Sequence, residues 1–285
     1  MRRSYGPFPY SPIVGRPRLR WPGDARLAVW VIPNLEFFPL ERLPDVMQWS
    51  VRDYGNRVGV FRLMQVLDRY RVRATVALNS DLCIHHPEIV EEGRARGWEF
   101  MGHNRTNAQR LTELEPEEER RLIAEVMATI ERATGERPRG WLSSGLQETP
   151  RTLGYLADEG CRYVCDWTND DQPYAMTLED GRTLLSIPYS VELNDKPAFE
   201  RHHRSAGEFQ EMICRQFDVL YREGEESGRV MAIALHPYLI GVPHRIGALD
   251  AALEYVCGHD GVWLATGREI ADHFAATQAD VAGQR

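Results

Sequence analysis

No stretch of this sequence is long and apolar enough to form a membrane-spanning helix, and its first residues lack the apolar core of a secretion signal. Cysteine is sparse. There are five, Cys83, Cys161, Cys165, Cys214 and Cys257, with no Cys-x-x-Cys pair among them. An odd number so spaced is expected of reduced, mostly buried thiols. There is no basic stripe either. The formal net charge is −8, and basic residues gather at the start, in "MRRSYGPFPYSPIVGRPRLRW". That balance argues against nucleic acid as a partner. No internal repeat and no Pro/Gly/Ser linker divides the middle. These absences leave the expectation of a cytoplasmic, soluble protein with a small-molecule substrate and neither membrane nor nucleic acid as a partner.

What is present is an alternation of strand and helix patterns. "RLAVWVI" (26–32), "RATVAL" (73–78), "WEFM" (98–101), "CRYVCD" (161–166), "RTLLSIP" (182–188), "RVMAIAL" (229–235) and "GVWLA" (261–265) read as strands. Between them "VGVFRLMQVLDRY" (58–70), "HPEIVEEGRARG" (86–97), "PEEERRLIAEVMATIERATG" (116–135), "TPRTLGYLADEG" (149–160), "SAGEFQEMICRQFDVLYREG" (205–224) and "ALDAALEYVCG" (248–258) read as helices. Such alternation means a parallel sheet, and about seven strands approach a closed barrel. A doubly wound open sheet is the competitor, but no GxGxxG fingerprint follows the first strand. The expected organisation is an extended arm over 1–24, one (β/α) barrel domain over 25–276, and a flexible tail over 277–285.

In barrels of this kind chemistry sits at the C-terminal ends of the strands. That rule selects Asn34 and Glu36 after the first strand, His103, Asn104 and Asn107 in "GHNRTN", Asp166, Asp170 and Asp171 in "DWTNDD", and His236 and Tyr238 in "HPYLIG". Two histidines and a glutamate at one mouth form an acid/base set. Asp166 has a plainer reading as a loop brace. Asp170-Asp171 reads as turn chemistry, His86 as a neighbour of a helix cap, and His202-His203 as a polar rim.

With those residues in view, the chain resembles the polysaccharide deacetylase (NodB-homology) superfamily, and within it the metal-independent bacterial allantoinase branch. The stretches that carry the resemblance are "DYGNRVGVFRL", "TGERPRGW", "YVCDWTNDDQPY", "IPYSVELND", "FDVLYREG" and "LHPYLIGVPHR". The resemblance implies a distorted (β/α) barrel of about seven parallel strands, hydrolysis of a carbon–nitrogen bond other than a peptide bond, and a homo-oligomer, a dimer or tetramer. Metal-dependent members carry two adjacent aspartates after the first strand, a His-x-x-x-His pair after the third, and an arginine shortly after a TG-x-x-P segment. Here those places hold Glu36 and Phe37, His103 and Asn107, and Leu142.

Phenylalanine cannot ligate zinc and an asparagine amide is a poor ligand, so one histidine of three ligands is left. No cofactor is therefore expected. Glu36 is the expected general base, with its pKa raised beside Phe37 and Phe38, and His103 and His236 the expected oxyanion stabilisers or acids. Asn104, Asn107, Trp141, Asp166 and Tyr238 are the expected substrate contacts. The substrate is expected to be a cyclic ureide, imide or activated amide, because a plain amide is a harder target. Two alternatives stay open: a zinc-dependent N-deacetylase with non-standard ligands, His202 or His203 among them, and a small-molecule-binding member without catalysis.

Overall fold

A computed structural model describes residues 6–42 and 45–283. The strands are β1 (Leu27–Leu35), β2 (Thr75–Leu78), β3 (Glu99–Gly102), β4 (Gly140–Trp141), β5 (Tyr163–Val164), β6 (Tyr174–Thr177), β7 (Thr183–Ser186), β8 (Arg229–Leu235) and β9 (Val262–Leu264). They lie in the order β6-β7-β5-β4-β3-β2-β1-β8. All neighbours are parallel except β6, which turns back antiparallel on β7. Short β9 pairs with the start of β1, so β1 meets β9 at one end and β2 at the other. The sheet curls into an open barrel. A single parallel bridge between Asn194 and Ala234 brings the segment after β7 beside β8 and narrows the gap. The expected seven strands are all found; Gly140–Trp141 and the β6 edge carry too few patterned residues to be read from sequence.

The helices are α1 (Val46–Tyr54), α2 (Val60–Arg69), α3 (Leu82–His85), α4 (Pro87–Ala95), α5 (Pro116–Thr134), α6 (Thr152–Asp158), α7 (Ala206–Glu223), α8 (Pro243–Cys257) and α9 (Gly267–Gly283). None among the described residues is long and apolar enough to cross a membrane. One expectation is corrected. Residues 277–283 are not a loose tail but the last turns of α9, whose "ADHFAATQADVAG" is rich in helix formers. Residues 6–24, the described part of the expected arm, lie on the barrel as a strap; residues 1–5 lie outside the described residues. Phe8, Leu19 and Trp21 are buried, and the Trp21 indole N–H donates to the carbonyl of Arg229 at 2.8 Å.

Alternation along β1 divides the core. Leu27, Val29 and Val31 face the helices, while Ala28, Trp30 and Ile32 fill the barrel with Ala77, Met101, Tyr163, Val230 and Ala232. Burial on both faces explains the unbroken apolar run of this strand. β3 ends at Gly102, which lies against the indole of Trp141, and a Cβ there would enter the ring's van der Waals shell. Gly102→Ala is therefore expected to lower stability by about 1–3 kcal/mol, read as a fall in the thermal midpoint. An unchanged midpoint would mean that the Trp141 ring yields freely.

Candidate active site

The C-terminal strand ends deliver the side chains to one mouth. Glu36 follows β1, Asn79 follows β2, His103 follows β3, and His236 follows β8. All four are buried. Glu36 is the hub. The Asn107 amide nitrogen donates to its Oε1, Arg52 Nη1 donates to its Oε2 at 3.2 Å, and His236 Nε2 lies 3.4 Å from Oε1. Behind His236 stands Asp195. Its Oδ1 accepts from the His236 Nδ1–H at 2.7 Å and its Oδ2 from the His236 backbone N–H at 2.8 Å. The Asn194–Ala234 bridge sets this contact, because it fixes residue 195 beside residue 236.

His103 is held differently. Its Nδ1 is 2.6 Å from the carbonyl oxygen of Leu142. A carbonyl only accepts, so Nδ1 carries the proton and Nε2 of the neutral ring offers a lone pair. Asn79 underpins both loops: its Oδ1 accepts from the Phe37 N–H at 2.8 Å, and its amide nitrogen donates to the carbonyl of His103.

The protonation pattern follows from these contacts. Burial pushes the His103 imidazole down, to about 4, despite the opposing pull of Glu36. Burial also acts to lower His236, but the Asp195 and Glu36 carboxylates outweigh it and hold His236 up at about 9. For Glu36 burial acts upward, yet the charge and hydrogen bond of His236, with Lys196 and His103, bring it down to about 2. At neutral pH the mouth holds an anionic Glu36, a cationic His236 and a neutral His103.

This corrects the expected raised Glu36. The Phe37 ring turns away to stack on His85 at 4.4 Å, and the Arg52 guanidinium covers the Phe38 ring at 4.0 Å. The carboxylate therefore faces cations rather than an apolar wall. It also corrects His103 as an oxyanion donor, since its free nitrogen accepts.

The expected substrate contacts divide. Asn107 and Tyr238 stand in the mouth. The Tyr238 hydroxyl accepts from Lys196 Nζ at 2.7 Å and donates to Glu200 at 3.1 Å, while its ring lies edge-on to His236. Three others are structural. Trp141 is fully buried with its indole N–H on Ser143 Oγ at 3.0 Å. Asn104, at φ +54°, uses its amide to tie Ser144 and Gln109 together. Asp166 accepts from the Ser143 N–H at 2.7 Å, and burial raises its pKa beside Glu148, which is raised as well by burial and by Asp166. Asn34 pins the carbonyl of Leu235 and the Tyr189 hydroxyl. Asp170 holds Arg16 of the strap at 2.6 Å, and His202 and His203 are exposed beyond the short turn at Pro197–Arg201.

The residues that sequence reasoning missed are Arg52, Asp195, Lys196 and Arg110. Asp195 stands in "IPYSVELND", just past a strand, which is the signal that could have selected it. Arg52 comes from α1, a helix with no buried residue and hence no apolar stripe to announce it.

A zinc ion, which metal-dependent members of the resembling superfamily carry, does not fit these donors. The Asn107 atom turned to Glu36 is an amide nitrogen without a usable lone pair, and Phe37 points elsewhere. Among the described residues no group of three His, Cys, Asp or Glu side chains is placed to hold a metal.

An open, curled, mostly parallel sheet with an acid/base set at its strand ends is the architecture of an α/β-class enzyme. Residues 48–164 match the polysaccharide deacetylase family model. The structure is similar to the allantoinase PuuE, with a TM-score of 0.85, 29% identity, and coverage of 93% of this chain and 95% of the other. It is also similar to a probable polysaccharide deacetylase from Pseudomonas aeruginosa, with a TM-score of 0.84, 28% identity, and coverage of 92% and 95%. A Schizosaccharomyces pombe protein classed as a polysaccharide deacetylase is 29% identical over 90% of this chain and 92% of its own length. Residues 48–164 thus carry a polysaccharide deacetylase (NodB-homology) domain, and the allantoinase and deacetylases that the chain is similar to are hydrolases of carbon–nitrogen bonds other than peptide bonds.

Proposed function

We propose that this protein hydrolyses a C–N bond in a small cyclic ureide, imide or activated amide without a resident metal. The observation that carries the reading is the Asp195–His236–Glu36 line, closed by the Asn107 amide where a metal ligand would need a lone pair. Glu36 takes a proton from water as its oxygen adds to the carbonyl carbon. His236 stabilises the developing oxyanion and delivers its proton to the leaving nitrogen as the C–N bond breaks. The 3.4 Å contact then lets Glu36 return the proton to His236. Engagement of the His236 N–H by substrate also removes one of the contacts that depress Glu36, the His236 hydrogen bond, and transfer of the His236 proton to the leaving nitrogen then removes the larger one, its charge. His103, neutral and accepting through Nε2, orients the water or a substrate N–H.

A cyclic ureide suits this apparatus because ring strain and a stabilised leaving nitrogen lower the barrier. The similarity to an allantoinase supports the ureide class. The test is a panel of hydantoins, cyclic imides and N-acetylated sugars assayed before and after exhaustive chelation. Turnover of a ring substrate, unchanged by chelator, is the expected result. Activity on N-acetyl groups alone, lost in chelator and restored by zinc, would overturn the proposal.

A further inference from the structure

The cations of the mouth are matched to carboxylates with one exception. Arg52 is paired with Glu36, Lys196 with Glu200 at 2.8 Å, and His236 with Asp195 and Glu36. Neighbouring Arg105 is paired with Asp81 at 3.1 Å. Arg110 is half-buried, and among the described residues no carboxylate oxygen lies within 4.0 Å of its guanidinium. Yet the group is not loose. Its Nη1 donates to the backbone oxygen of Asn107 at 3.0 Å and to the Asn107 side-chain oxygen at 3.2 Å. The same Asn107 amide donates at its other end to Glu36. One amide group therefore separates the Arg110 charge from the reacting carboxylate.

Among the described residues Nε and Nη2 of that guanidinium have no hydrogen-bond partner, and its Nε side runs past Gly145. A Cβ at residue 145 would stand 2.9 Å from Nε and 3.2 Å from Cζ, and the glycine sits at φ +73°, where a side chain is disfavoured. Glycine keeps the edge clear. A fixed, uncompensated guanidinium edge matches the two oxygens of a carboxylate.

We infer that Arg110 binds an anionic substituent, a carboxylate, on the substrate, so that the preferred substrate is an acidic member of the class proposed above. The inference rests on that hydrolase reading for the identity of the site. The substrate then spans the Asn107 amide, with its carboxylate on Arg110 and its reacting carbonyl at Glu36 and His236. Arg110 selects; it takes no part in proton transfer.

Binding tests this without turnover. 2-Oxoimidazolidine-4-carboxylate, a stable cyclic urea whose carboxylate is separate from the ring carbonyl, and its neutral primary amide would be titrated calorimetrically at pH 7 into the wild type, Arg110→Gln and Arg110→Lys. The wild type is expected to bind the carboxylate about tenfold or more tightly than the amide. Arg110→Gln should abolish that preference and leave the amide's affinity unchanged, and Arg110→Lys should keep part of it. Equal affinities in the wild type, failure of the carboxylate to bind, or a preference that survives Arg110→Gln would overturn the inference. So would an equal loss for both probes in that variant, which would mean that Arg110 merely props Asn107. Hydrolysis of neutral hydantoins with no preference for carboxylated analogues would remove the Arg110 assignment alone. Carboxylate binding by a protein that hydrolyses none of the panel would remove the hydrolase reading alone.

Discussion

Replacing Glu36 with glutamine is expected to lower kcat by about 10²–10⁴-fold, the usual contribution of a positioned general base. Glutamine keeps the volume of the side chain but cannot take a proton from water. One of its two ends must also present an N–H where Asn107 or Arg52 already donates. That mismatch costs about 1–3 kcal/mol, less than the total stability of an ordinary domain, so the variant should fold. A second readout ties the loss to this site. His236 is held up at about 9 by two carboxylates, Asp195 and Glu36. Removing one should lower its pKa, which is measurable by titrating the imidazole resonances. A folded Glu36→Gln protein that keeps more than a tenth of wild-type kcat would end the assignment of Glu36 as base.

The fold was legible because it rests on apolar periodicity. β1 and β8 are buried on both faces and read as unbroken apolar runs, and α5 announces itself with Pro116, its acidic first turn and Gly135. The strand ends then located Glu36, His103 and His236. What escaped was the supporting set, and each omission has a physical cause. Arg52 rides on α1, which buries nothing and so has no pattern. Asp195 meets His236 only through the bridge between Asn194 and Ala234, a contact of forty residues' separation that no local pattern encodes. The protonation states escaped for a related reason. The two phenylalanines beside Glu36 in sequence suggested an apolar setting, but adjacent side chains point apart, and the groups that face the carboxylate come from α1, from Asn107 and from the end of β8. Trp141 shows the converse error: a strand-end position can point inward, and this one does, beneath Gly102.

The second large effect concerns Asp195, which touches no reacting atom in the proposed scheme and acts through His236. Both of its oxygens accept from His236, one from the ring N–H and one from the backbone N–H. An asparagine offers one oxygen and one NH₂ group, so it sets a donor against the backbone N–H in one orientation, and in the other it is satisfied only if the His236 Nδ1 gives up its proton. Asp195→Asn should therefore cost about 1–3 kcal/mol in stability and lower kcat/KM by about 10²–10⁴-fold through the misplaced or deprotonated imidazole. The pH profile separates positioning from mere loss of fold. In the wild type His236 must be protonated to act, so kcat/KM should fall as pH rises through about 9, and His103 must be neutral, so it should fall below about 4. Loss of the Asp195 charge should move the alkaline limb to lower pH and leave the acid limb in place.

Stability should follow the same group. A folded-state pKa raised from 6.5 to about 9 contributes stability that is complete below 6.5 and lost as pH rises through 9. The wild type should thus become easier to unfold between those values, and Asp195→Asn should show a weaker dependence. An alkaline limb that stays near 9 in the folded variant would show that Asp195 does not set the acidity of His236.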